Sequence, residues 1–209
     1  MTNKLLFIYD NEDTRQGEYF SASHQNMIEK LNNLPHVSIN SLNTEQCLRN
    51  PIADYLPTLS VHSLIFVAYT HGSEEAILIA KQEYVNAKNA YFFANSLFYA
   101  CSCLTAKELG KHLIFNNCSV FVGYNATITT VRPETEPVFQ ECENAFLFHF
   151  LRTTNTIQES LAVMYRTYND MMIHVDTFTA GILDKHLSAF QILCNEDALQ
   201  FTRQNFINH

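Results

Sequence analysis

The chain has 209 residues, 47% of them hydrophobic and 16% charged, enough for one large α/β core. Lys plus Arg number 13 against 21 Asp plus Glu, a formal charge of −8, so no overall basic surface exists to neutralise phosphate backbones and nucleic acid is not expected as a direct partner. The longest apolar runs have strand length, well short of the roughly 18 to 20 residues that span a bilayer, and the acidic residues after Tyr9 do not suit a signal peptide. The expectation is a single domain over residues 1–209, soluble, cytoplasmic and away from membranes, with its six cysteines reduced.

In chain order, short apolar runs alternate with stretches of helical spacing, the pattern of a parallel sheet covered on both faces. Leu5 to Tyr9 reads as a first strand, running into Asp10-Asn11-Glu12-Asp13. A helix follows over Ser21 to Leu31, then a strand over Val37 to Leu42 and one short helix within Thr44 to Leu59. Leu64 to Tyr69 is a continuous apolar strand that leads into Thr70-His71-Gly72. Ala76 to Ala80 and Tyr84-Val85 suggest a small hairpin, and Leu97 to Ala100 is a further strand, ending in Cys101-Ser102-Cys103. Thr105 with Glu108 has the spacing of a capping box for the next helix. Val120 to Tyr124 is the fifth parallel strand.

After it, Thr127 to Glu141 reads as a loop carrying Arg132-Pro133 and Glu136-Pro137. Helices are expected over Asn144 to Arg152, from Thr156 through Met172 with Glu159 completing a capping box, over Phe178 to Ile192, and over Asp197 to Phe206. The last third is therefore helical.

Reactive groups in an open parallel sheet gather at the carboxyl ends of the strands. Two of the most apolar strands end there in titratable residues, His71 and Cys101. A thiol with an imidazole makes a nucleophile and its base. Gly72, one of five glycines, follows the histidine, and a residue without Cβ lets a substrate carbonyl approach the backbone, so the N–H groups of Gly72 and Cys101 form a candidate oxyanion hole. A zinc site from Cys101, Cys103 and His71 or His112 has poor spacing, and no metal or cofactor is expected.

The segments Ala68-Tyr69-Thr70-His71-Gly72 and Phe98-Tyr99-Ala100-Cys101-Ser102 resemble the two signatures of the caspase-like cysteine peptidases, in which one strand ends in His-Gly and the next in a small residue before the catalytic Cys. The short separation of the two, and the stretch Val120-Phe121-Val122-Gly123-Tyr124, are most similar to the bacterial CHAT peptidases. The resemblance implies a three-layer α/β/α fold with a mainly parallel sheet of about five or six strands and a helical C-terminal third. It implies a cysteine endopeptidase with Cys101 rather than Cys103 as nucleophile, since Cys103 falls where relatives carry Ser or Gly.

By the same likeness, a specificity pocket would draw on Asp10, Tyr99, Tyr124 and Asn125. One acid among polar aromatics favours Lys or Arg at the cleaved position, with a large apolar residue such as Leu or Met as the alternative. Tyr99 stands where caspases carry Gln and legumains Glu. Implied partners are a protein substrate and a separate activating or regulatory protein, in bacterial defence or programmed cell death. Two other readings stay open: a catalytically silent caspase-like interaction subunit, and an unrelated cysteine hydrolase acting on small amides.

Overall fold

Four strands bury side chains on both faces, and their two-residue alternation sorts those side chains into two separate cores. Leu5, Phe7, Val67, Tyr69, Tyr99, Cys101, Val122 and Tyr124 point to one face; Leu6, Ile8, Phe66, Ala68, Phe98, Ala100 and Phe121 point to the other. The computed structural model describes residues 2–59, 63–129 and 133–208.

The elements are β1 (Thr2–Tyr9), α1 (Gly17–Leu31), β2 (Val37–Leu42), α2 (Thr44–Arg49), α3 (Ile52–Thr58), β3 (Ile65–Tyr69), β4 (His71–Gly72), β5 (Ala76–Ile79), β6 (Gln82–Asn86) and β7 (Leu97–Cys101). They continue with α4 (Leu109–Phe115), β8 (Val120–Tyr124), α5 (Glu136–Arg152), α6 (Ile157–His174), α7 (Thr177–Ala189), β9 (Phe190–Cys194) and β10 (Ile207–Asn208). The main sheet runs β2-β1-β3-β7-β8-β9, parallel except for β9, and β10 pairs antiparallel with the first two residues of β1.

Helices α1, α5, α6 and α7 cover the first face, and α2, α3 and α4 the second together with the hairpin β5-β6. This is the three-layer α/β arrangement expected from the alternation of strands and helices. Register places Tyr69 beside Cys101 at the carboxyl edge, so the two strand ends meet there. An amide buried under that edge fixes the covering helices: Asn144 of α5 accepts from the Tyr69 hydroxyl at 2.6 Å and donates to Ser23 O and Asn26 Oδ1 of α1.

Several boundaries differ from the sequence reading. The expected capping box at Thr105 does not form, because the Thr105 hydroxyl donates to Ser102 O in the turn after Cys101 and α4 begins only at Leu109. The box at Thr156 and Glu159 does form. Within the expected loop 127–141, helix α5 already starts at Glu136, with Pro137 in its first turn, where a missing N–H costs nothing. Arg132 lies outside the described residues. The segment 44–59 holds two helices, not one. The helix expected through Ile192 ends at Ala189, and Phe190–Cys194 becomes the antiparallel sixth strand, while the expected last helix is two short 3-10 turns.

Candidate active site

His71 and Cys101 line one cavity of about 180 Å³ at the carboxyl edge of the sheet, together with Tyr19 and Phe20 of α1, Cys103, the segment Thr127 to Thr129, Glu143 of α5 and His186 of α7. The histidine reaches this position because the chain leaves β3 and at once pairs with β5: His71 opposes Leu78 and Gly72 opposes Ile77. Its side chain is 39% exposed, and the edge of its ring packs on Phe20 at 5.2 Å between centroids.

The imidazole has a partner that sequence reasoning passed over. Nε2 of His71 lies 3.2 Å from Oδ2 of Asp13, a residue of the acidic run that follows the first strand. Asp13 Oδ1 accepts from the backbone N–H groups of Arg15 and Gln16 at 2.8 and 2.7 Å. Burial pushes the Asp13 carboxyl up, but these two N–H groups and His71 outweigh it and hold the pKa below its ordinary value. With Nε2–H donating to Asp13, the Nδ1 lone pair is left to take a proton.

Cys101 ends β7 on the face of the first core and is 5% exposed. Its thiol pKa stands well above the ordinary range, first because of burial and then because of the Glu143 charge; a hydrogen bond with Tyr99 works the other way. Cys103, half-buried, has its sulfur pinned by Ile128, whose N–H it accepts at 3.4 Å and whose carbonyl it faces at 3.5 Å. Cys47, Cys118 and Cys142 are buried thiols whose pKa is pushed up to about 12, in keeping with a packing role.

Gly72 has no room for a side chain. A Cβ there would lie 2.5 Å from Cys103 O and 2.6 Å from the Thr105 methyl, so the backbone after His71 rests directly on the turn after Cys101. Thr70 and Ser102 join the same two segments through hydroxyls 3.1 Å apart.

None of Asp10, Tyr99, Tyr124 and Asn125 is among the residues that line the cavity. Asp10 is buried, and its two oxygens accept from the Thr44 hydroxyl at 2.8 Å and from Ala80 N–H at 2.9 Å, which ties β1 to α2 and the β5-β6 turn. Tyr99 lies beneath the cavity with its hydroxyl bonded to the Glu143 carbonyl, and the Tyr124 hydroxyl faces that of Tyr168. Asn125 donates its backbone N–H to Ala189 O. The carboxylate that does line the cavity is Glu143, 1% exposed.

Among the described residues, no group of three or more His, Cys, Asp or Glu side chains is placed to hold a metal ion, and no helix is long and apolar enough to cross a membrane.

No protein-family model matches the sequence, and no curated protein does. The structure is similar to the X-ray structure of a secreted C11 cysteine protease from Bacteroides thetaiotaomicron in complex with an irreversible peptide inhibitor, with a TM-score of 0.51 and 13% sequence identity. The match covers 81% of this chain and 60% of that one, so the chain spans about three fifths of the protease's length. The likeness is one of fold: it supports the caspase-like arrangement and singles out no CHAT family within it.

Proposed function

We propose that the chain is a cysteine endopeptidase that works through Cys101 and His71. The observation that carries this reading is the meeting of a thiol, an imidazole and the carboxylate of Asp13 at the strand ends of a caspase-like sheet, with the first two in one cavity. The Cys101 proton passes to His71 as the sulfur attacks the scissile carbonyl carbon. Backbone N–H groups of Gly72 and Cys101 receive the oxyanion. The C–N bond then breaks, the amine leaves with the proton from His71, and water, deprotonated by His71, releases the acyl group and restores the thiol. The substrate is a protein, and a separate activating protein would act on the thiol's burial. A role in bacterial defence or programmed cell death is the biological setting this reading suggests.

The buried, protonated state of Cys101 also favours a second reading, a catalytically silent interaction subunit. One experiment separates the two. Labelling with peptidyl chloromethylketones and casein or peptide cleavage should be lost in Cys101→Ala and His71→Ala and largely kept in Cys103→Ala. Loss only in Cys103→Ala would reverse the assignment of the nucleophile, and no labelling of any cysteine in wild type would leave the interaction subunit.

A further inference from the structure

The imidazole of His71 has a second side. Besides the cavity with Cys101, it lines a larger one of about 520 Å³, which it shares with Asp13, Arg15, Gly72, Leu78 and Lys81 and in which neither Cys101 nor Cys103 takes part. Arg15 and Lys81 form no ion pair among the described residues, although the chain carries a net charge of −8 and Lys30, Arg49, Lys107 and Lys111 each have a carboxylate partner. The one carboxylate in this cavity, Asp13, is already engaged by His71 and by the N–H groups of Arg15 and Gln16. Two free cations beside one engaged carboxylate make the cavity a place for an anion.

Lys81 is held there against a steric penalty. It forms with Ala80 the two-residue turn between Ile79 and Gln82, at φ of 65° and 47°, a left-handed pair that Asn-Gly adopts with ease and other residues do not. The turn is anchored, because the Ala80 N–H donates to the buried Asp10 Oδ2 at 2.9 Å. Strand β5, which leads into it, pairs Leu78 with His71, so the turn that presents Lys81 is built onto the segment that carries the imidazole.

The proposed chemistry gives this cavity a direction. The acyl group stays on Cys101, which lines the first cavity and not the second, while the leaving amine takes its proton from His71, which lines both. The peptide that follows the cut therefore has the second cavity ahead of it. Resting on the reading of Cys101 and His71 as the catalytic pair, we propose that this cavity is a subsite for the leaving peptide, in which Arg15 and Lys81 select a carboxylate: an Asp or Glu side chain at the first or second residue after the cut. Arg15 offers a planar fork of donors, Lys81 a point charge, and Leu78 an apolar wall. Both cations are exposed, so their contribution is selection rather than tight binding.

The test digests a synthetic pool of random-sequence peptides with amidated C-termini, using the full chain, and reads the products by mass spectrometry. Asp or Glu should be enriched about fivefold over Asn or Gln at one of the first two positions after the cut, the scale of exposed ion pairs, and the enrichment should fade in 0.5 M NaCl. Arg15→Gln and Lys81→Gln should each lower it to about twofold, and the double variant should abolish it. Lys81→Glu should turn the preference toward Lys and Arg, a reversal that a merely structural lysine would not give. Lys81→Gly, at ease at this φ, should lower the enrichment as Lys81→Gln does while its urea midpoint holds or rises.

A second pool with free C-termini separates a side chain from a chain end. Cuts gathered within two residues of the terminus, in that pool alone, would give the cations to a terminal carboxylate and overturn the side-chain assignment. Cleavage without acidic enrichment, or with an enrichment that both glutamine variants keep, overturns the proposal and leaves the peptidase reading standing. If no peptide is cut under any condition, both fall.

Discussion

Nε2 of His71 and Oδ2 of Asp13 lie 3.2 Å apart, and Nε2–H donating across this pair leaves Nδ1 as the nitrogen free to accept a proton. In the proposed mechanism Asp13 does not touch the reacting atoms and is a positioning residue. Asp13→Asn preserves the acceptor that holds Arg15 and Gln16 N–H but can present an NH₂ group to Nε2, forcing the proton onto Nδ1. Cleavage should fall at least about 10²-fold in kcat with KM little changed, in line with the cost of a wrong tautomer in a catalytic triad. Asp13→Ala should lose a similar factor and, in addition, about 1 kcal/mol of stability with the lost turn acceptor. If Asp13→Asn retains full kcat, the pair is structural only.

Gly72→Ala tests the contact between the two strand ends. The added methyl would meet the Cys103 carbonyl at 2.5 Å, a backbone atom that moves only if the turn after Cys101 moves. We expect about 1 to 3 kcal/mol of lost stability in urea unfolding, the usual cost of overpacking. Labelling of Cys101 should change at the same time, since the displaced turn continues directly from Cys101, the last residue of β7. A variant as stable and as reactive as wild type would show that the two segments can separate freely.

The pairing of His71 with Cys101 was legible because each ends a strand whose apolar run is unmistakable and because strand ends gather at one edge. The carboxylate partner of His71, Asp13, was not, since it sits in a turn whose geometry depends on its own carboxylate binding Arg15 and Gln16 N–H. Glu143 was hidden for another reason. Taking the two prolines after Thr130 as loop signals started the helix at Asn144, whereas Pro137 lies in the first turn of α5 and Glu143 is a full turn and more inside it. Asp10 is the converse case: the position after a first strand suggested a pocket, but the neighbouring α2 and the β5-β6 turn each supply a donor that claims one of its oxygens. Strand β9 lacked a turn signal on its N-terminal side, as α7 runs directly into it at Phe190.

Tyr19→Phe asks how strongly the cavity carboxylate is held. The Tyr19 hydroxyl gives Glu143 its only close side-chain hydrogen bond among the described residues, and both groups are buried. Deleting a donor to a buried charge should cost about 1.5 to 3 kcal/mol in urea unfolding. The same deletion made in the Glu143→Gln background should cost less, and the difference measures what the charge adds. Equal costs in the two backgrounds would mean that Glu143 is held as a neutral acid.

His24 supplies a pH dependence that is separate from the reaction. Its ring stacks on Tyr9 at 4.2 Å, meets Phe7 edge-on and bonds Ser41 Oγ at 2.9 Å, and burial lowers its pKa to about 4 from an ordinary value of 6.5. Between those two values the unfolded chain binds the proton and the folded chain does not. Stability from this group is therefore fully present above pH 6.5, declines as the pH falls through 6 and 5, and levels off below about 4. Asp13, with its lowered pKa, contributes a loss only at still lower pH, from the ordinary carboxyl value of 3.8 downward. His24→Phe keeps a ring between Tyr9 and Phe7 and removes the titration, so urea unfolding at pH 7, 5.5 and 4.5 should show a shallower decline than in wild type. Parallel curves for the two proteins would place the acid sensitivity elsewhere in the fold.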